Sequence, residues 1–121
     1  MTLGELRTLL ANCEDKTATV RIHSPVTCSP ARIESWRGSY NEAAIVPETW
    51  NPDGEMTVSG LIDLIDEAYT KTHVGYKGGD YTFTPDTRVW LAQHGSSGNC
   101  SIERVKDDRW CVFLIVGWDD F

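Results

Sequence analysis

Two stretches of this sequence start a helix in the same way, and they constrain the fold more than any other feature. Met1-Thr2-Leu3-Gly4-Glu5-Leu6-Arg7-Thr8-Leu9-Leu10 aligns without a gap on Met56-Thr57-Val58-Ser59-Gly60-Leu61-Ile62-Asp63-Leu64-Ile65. Each places a threonine where its hydroxyl can accept from the unpaired N–H groups of a first helical turn. In the first stretch Glu5 completes a capping box. Leu3, Leu6, Leu9 and Leu10 then predict one apolar stripe, ended at Asn12. Val58, Leu61, Ile62, Leu64, Ile65 and Ala68 predict a second helix over Val58 to Thr70, with Asp63, Asp66 and Glu67 on its outer face. The chain contains either a duplicated half or two capped helices that converged on one pattern. The sequences downstream of the two starts do not match, which favours convergence.

The rest of the chain reads as strands and turns. Thr17 to His23 alternates and is rich in β-branched residues. Pro25 and Pro30 bracket a loop, Ala31 to Ser35 is a second strand, and Ala43 to Val46 is a third, stopped by Pro47. Asn51-Pro52-Asp53-Gly54 is turn chemistry before the second helix. Tyr81 to Phe83, Val89 to Ala92 and Cys100 to Val105 are further strand segments, with a loop over His94 to Asn99 and a hairpin turn at Asp107-Asp108. Trp110 to Val116 is the most apolar run and is expected at the centre of the sheet. The sum is an α+β fold, one domain over residues 1–121. We expect a mainly antiparallel sheet of about five or six strands with two helices packed on one face.

Charge narrows the function classes. The net charge is −7, with 11 Lys and Arg against 18 Asp and Glu. That balance opposes binding to duplex nucleic acid or to an anionic membrane surface, which need clustered cations. It leaves room for a compact pocket holding one small anion. It also leaves room for an acidic surface that faces a basic partner or imitates nucleic acid. No apolar run approaches the roughly 18 residues of a membrane-spanning helix, and Met1 to Glu5 carries no secretory pattern, so a cytoplasmic location is expected. The four cysteines, Cys13, Cys28, Cys100 and Cys111, form no Cys-x-x-Cys pair and are expected to be reduced. No histidine stands at ligand spacing to them, and neither a metal nor a cofactor is expected.

Two segments suggest a binding site. Ser35-Trp36-Arg37-Gly38-Ser39-Tyr40 and Gly75-Tyr76-Lys77-Gly78-Gly79-Asp80-Tyr81 each set a cation beside glycine and between aromatic rings. Rings stack on flat ligands, a cation pairs with an anion, and glycine lets backbone N–H groups come close. The candidate ligand-binding residues are Trp36, Arg37, Gly38, Ser39, Tyr40, Tyr76, Lys77, Gly78, Gly79 and Tyr81. The plainer alternatives are a strand-to-loop corner at Trp36 to Tyr40 and, at Gly75 to Tyr81, a hairpin that needs positive φ at Gly78 or Gly79. The second segment is not a phosphate loop, because it lacks the Gly-Lys-Ser/Thr ending and a following helix. His94 with Ser96 and Ser97 does not make a nucleophile elbow, since the loop joins two strands. The remaining carboxylates fall on turns and on an exposed helix face, so the chain is not expected to be an enzyme.

Taken together, several of these motifs resemble a family of small, largely uncharacterised proteins of bacterial viruses and prophages. The matching features are Met1 to Leu6, the Ser-Trp-Arg-Gly-x-Tyr segment at Ser35 to Tyr40 and the Thr57-Val58 helix start. Gly-Tyr-Lys-Gly-Gly at Gly75 to Gly79 and the strand and glycine loop over Val89 to Gly98 complete the set. The chain departs at Val26-Thr27-Cys28-Ser29, where members of that family tend to carry glycine. The resemblance implies a viral accessory protein that counters host defence by binding in the bacterial cytoplasm. The expected partner is a small anionic or nucleotide-like ligand, sequestered rather than turned over. The alternative is a host defence protein inhibited through the acidic surface. A symmetric dimer or higher oligomer would let the two segments meet across an interface.

Overall fold

The structure, a computed structural model, describes residues 1–23, 27–35, 42–48, 56–74, 77–91, 100–108 and 111–118. The chain runs α1 (Leu3–Ala11), β1 (Thr19–His23), β2 (Thr27–Ser35), β3 (Glu42–Glu48), α2 (Val58–Ala68), β4 (His73–Val74), β5 (Asp80–Tyr81), β6 (Arg88–Leu91), β7 (Cys100–Asp108) and β8 (Cys111–Trp118). Both helices start as expected. Thr2 accepts from the Glu5 N–H while the Glu5 carboxylate accepts from the Thr2 N–H, each at 3.1 Å, and Thr57 accepts from the Gly60 N–H.

The fold is α+β, but the sheet is not open. Six strands close into a barrel in the order β1-β2-β3-β6-β7-β8, and β4 and β5 form a separate hairpin. The sets β1-β2-β3 and β6-β7-β8 are antiparallel, and two parallel pairings, β3 with β6 and β8 with β1, join them. Closure removes the exposed sheet edges, and with them any single face for helices to cover. Local alternation cannot reveal it, because both parallel joins pair strands far apart in sequence.

The barrel consists of two copies of one α-β-β-β unit. The Met1 and Met56 carbonyls accept from Val89 and Val20; the Leu3 and Val58 N–H groups donate to Thr87 and Ala18; those of Gly4 and Ser59 donate to Pro85 and Lys16. All six bonds measure 2.8 to 3.1 Å. The strand registers repeat too. Ala43 beside Val89 and Ile45 beside Leu91 correspond to Val112 beside Val20 and Leu114 beside Ile22. Even the irregularity recurs: the register of β2 slips between Pro30 and Arg32, and that of β7 between Ile102 and Arg104. Convergence of two unrelated helices, the reading favoured from sequence, does not account for a repeat that extends through every barrel strand.

One buried cluster joins the helices to the barrel. Leu3, Leu6, Leu10 and Cys13 of the first unit match Val58, Leu61, Ile65 and Ala68 of the second, and all eight are buried. Inside the barrel Val20, Ile22, Ala43 and Ile45 match Val89, Leu91, Val112 and Leu114. Leu9, expected in the first stripe, is instead 39% exposed. It stands at the margin of the helical arc set by Leu3, Leu6 and Leu10 and borders an open groove with Thr8, Pro85 and Asp86.

Three local expectations are corrected. Pro30 and Pro47 lie within β2 and β3 rather than ending them. They face each other across the pair and lie beyond the registers that β2 makes with β1 and β3 makes with β6, so neither sits between two ladders where its N–H would be needed. Asp107 and Asp108 are the last residues of β7, paired with Val112 and Cys111, not the hairpin turn. Of Tyr81 to Phe83, only Tyr81 is in a strand.

Candidate functional site

The two units differ most between helix and first strand. Residues 12–18 lead from α1 to β1, whereas residues 69–87 lead from α2 to β6 and contain the β4–β5 hairpin. The second of the two glycine-bearing segments lies in this insertion. His73 pairs with Tyr81 and Val74 with Asp80, and Lys77, Gly78 and Gly79 are exposed in the turn between. Gly78 and Gly79 take φ of 83° and 84°. A Cβ at either position would meet nothing within 4 Å. These glycines therefore answer a backbone demand rather than a close neighbour, as the hairpin alternative required.

The stem of the hairpin is aromatic. The His73 ring stacks on Phe83 with centroids 4.4 Å apart and lies 5.5 Å from Tyr81; Tyr81 and Phe83 are 5.9 Å apart. Phe83 is buried in the common core, and Tyr81 packs against that core half-buried. Tyr81 thus serves the stem of the hairpin. Burial, with Lys71 nearby, holds the His73 imidazole below its ordinary pKa. Its Nε2 is buried without a hydrogen-bond partner among the described residues, as is the Tyr69 hydroxyl. Sequence reasoning did not single out the His73–Tyr81–Phe83 cluster; the alternation of Tyr81 and Phe83 was its only visible trace.

Trp36, Arg37, Gly38, Ser39, Tyr40 and Tyr76 lie outside the described residues. The flanks of the first segment are placed, however. Ser35 pairs with Ala43, Glu42 pairs with Arg88, and Thr2 bridges to the same Arg88. Residues 82–87 lead from the hairpin stem to Arg88. The fold therefore brings the flanks of both segments to one end of the barrel, where α1 and β6 begin.

The carboxylates on α2 are largely engaged. Asp66 takes a two-pronged bond from Arg7, 2.7 Å from Nε and 3.1 Å from Nη2, which holds its carboxyl below the usual range. Glu67 lies 3.5 Å from Lys71. Among the described residues no group of three or more His, Cys, Asp or Glu is placed to hold a metal ion, and no helix is long and apolar enough to cross a membrane. The Cys13 and Cys111 thiols are free, and burial pushes both pKa values up. Against protein-family models, curated proteins and solved structures, the chain has no match.

Proposed function

We propose that this protein works by binding rather than by catalysis, and that it captures a small nucleotide-like anion at the barrel end carrying the β4–β5 hairpin. The observation that carries the reading is the insertion itself. The first unit closes its part of the barrel without a hairpin between helix and strand. The second adds one that puts an exposed lysine and two positive-φ glycines at its tip. Lys77 supplies a point charge for a phosphate, and the absence of a side chain at Gly78 and Gly79 lets a ligand come close to the backbone there. Arg37 and the rings of Trp36 and Tyr40 belong to the segment whose flanks stand at the same end. The motif resemblance supplies a context, a viral accessory protein sequestering a nucleotide-type signal of host defence.

Inhibition of a host protein through an acidic surface is the second reading, and the net charge of −7 favours it. Two of the three α2 carboxylates it would use are already paired within the chain. Calorimetry and thermal shift against a panel of cyclic and linear nucleotides test the first reading. We expect heat and stabilisation with at least one nucleotide, and about a tenfold weaker affinity in Lys77→Ala, the worth of one charge-assisted bond. Silence across the panel, with salt-sensitive binding to a basic protein that Lys77→Ala leaves unchanged, overturns it in favour of the second.

A further inference from the structure

The two units also differ on the outside of the barrel. On β3 and β6, Ala44, Val46 and Trp90 alternate with the inward residues Ala43, Ile45, Val89 and Leu91, so they face away from the barrel core. They are nonetheless only 3%, 5% and 8% exposed, so the chain itself covers that surface. The matching positions in the other unit are Phe113, Ile115 and Arg21, and there the surface is half-open. The flanking pair changes as well. Arg32 and Glu34 on β2 form an ion pair at 2.6 Å beside the covered surface. Arg104 and Lys106 hold the same register positions on β7, so a neutral pair becomes two cations. Both are exposed, and neither has an ion-pair partner among the described residues. With Phe113 and Ile115 they line a groove of about 310 Å³.

We propose that this outer face of the β7–β8 hairpin docks an acidic segment of a partner protein. An apolar side chain of the partner lies against Phe113 and Ile115, and flanking carboxylates pair with Arg104 and Lys106. A peptide is indicated because the groove sets two apolar side chains beside two cations, which an apolar residue flanked by carboxylates matches. Acidity follows from the two cations, which stand out in a chain of net charge −7. A two-fold pairing of this face with itself would set the Arg104–Lys106 pair against its own copy. Glu103, Asp107 and Asp108, exposed on the same strand, confine the acidic part of the partner to a short stretch centred on Arg104 and Lys106, which suits a peptide better than an extended polyanion. The surface is separate from the hairpin insertion, so the inference does not rest on the nucleotide reading.

NMR titration of the full chain with a capped Glu-Glu-Leu-Glu-Glu peptide tests the proposal. The comparison probes are Gln-Gln-Leu-Gln-Gln and an oligothymidylate. We expect shift changes concentrated on β7, β8 and β1 with the glutamate peptide. The Arg104→Glu/Lys106→Glu double variant should weaken them about tenfold or more, the sum of two partly exposed charge pairs. Both sites are exposed, and a circular dichroism spectrum matching the parent confirms that the variant folds. Ile115→Ala should weaken binding without changing its salt dependence. Equal binding of the glutamine peptide, binding of the oligothymidylate in its place, self-association through the same resonances, or shifts that survive charge reversal would each overturn the proposal.

Discussion

Thr2 and Thr57 occupy one structural position twice, and each reaches across to the other unit. Thr2 caps α1 and bridges to Arg88, the first residue of β6; Thr57 caps α2 and bridges to Thr19, the first residue of β1. Each helix thus opens against the strand that follows the other helix. The caps make separable contributions to stability. Thr2→Ala and Thr57→Ala should each cost about 1 kcal/mol in urea unfolding. The two losses should be similar, because the backbone N–H of residue 2 still donates to the Glu5 carboxylate after the hydroxyl is removed. The double variant should show additive losses, since the two caps share no bond.

The crossed arrangement predicts the behaviour of half-chains. If each unit were self-sufficient, either would fold alone. Instead the Met1, Leu3 and Gly4 bonds end on Val89, Thr87 and Pro85, and those of Met56, Val58 and Ser59 end on Val20, Ala18 and Lys16. Both parallel seams of the barrel also run between units. Fragments 1–52 and 53–121 should each be largely unfolded by circular dichroism, and equimolar mixing should restore the spectrum of the intact chain. Cooperative melting of either fragment alone would contradict the crossed design.

Much of this was legible locally and little of it globally. The threonine caps and the stripes of Leu3, Leu6 and Leu10 and of Val58, Leu61 and Ile65 report local physics, and both helices stand where those residues put them. The repeat was visible only at the helix starts. Downstream, equivalent positions differ in chemistry: Glu34 matches Lys106 and Ala44 matches Phe113. What repeats is the register, which depends on pairing between distant strands. Pro30 and Pro47 misled for a related reason, since a proline ends a strand only where its partner needs the N–H. At the candidate site, the turn role of Gly78 and Gly79 could be read from composition, while the stacking of His73 on Phe83 could not.

Two kinds of glycine should respond differently to alanine. At Gly4 a Cβ would lie 2.9 Å from both Cβ and the carbonyl oxygen of Pro85, where the Gly4 N–H donates to that oxygen. Alanine is normally the better helix residue by about 1 kcal/mol. Here the close approach reverses the sign, and Gly4→Ala should lower the melting temperature. Gly79→Ala meets no neighbour but must adopt φ of 84°, a strain of roughly 1–2 kcal/mol. Because the tip of the hairpin is exposed, that strain should loosen residues 77–79 in hydrogen exchange more than it lowers global stability.

His73 gives the fold a specific response to acid. Burial, then the nearby Lys71, favours its neutral form in the folded state. The unfolded chain has an ordinary histidine with a pKa of about 6.5. Above that value both states hold the ring neutral and His73 adds no pH dependence. As pH falls below it, the unfolded state takes up a proton that the folded state refuses, so stability declines. The decline ends once pH drops below the lowered folded pKa, where both states are protonated. This window lies above the one governed by Asp15 and Asp66, whose lowered pKa values make stability fall only as their carboxylates protonate. His73→Phe should keep the ring stack on Phe83 and remove the loss of stability that sets in as pH falls below about 6.5. Urea unfolding at pH 7.5 and pH 5.5 measures it. The parent should lose more stability across that interval than the variant, and equal losses would place the acid response elsewhere.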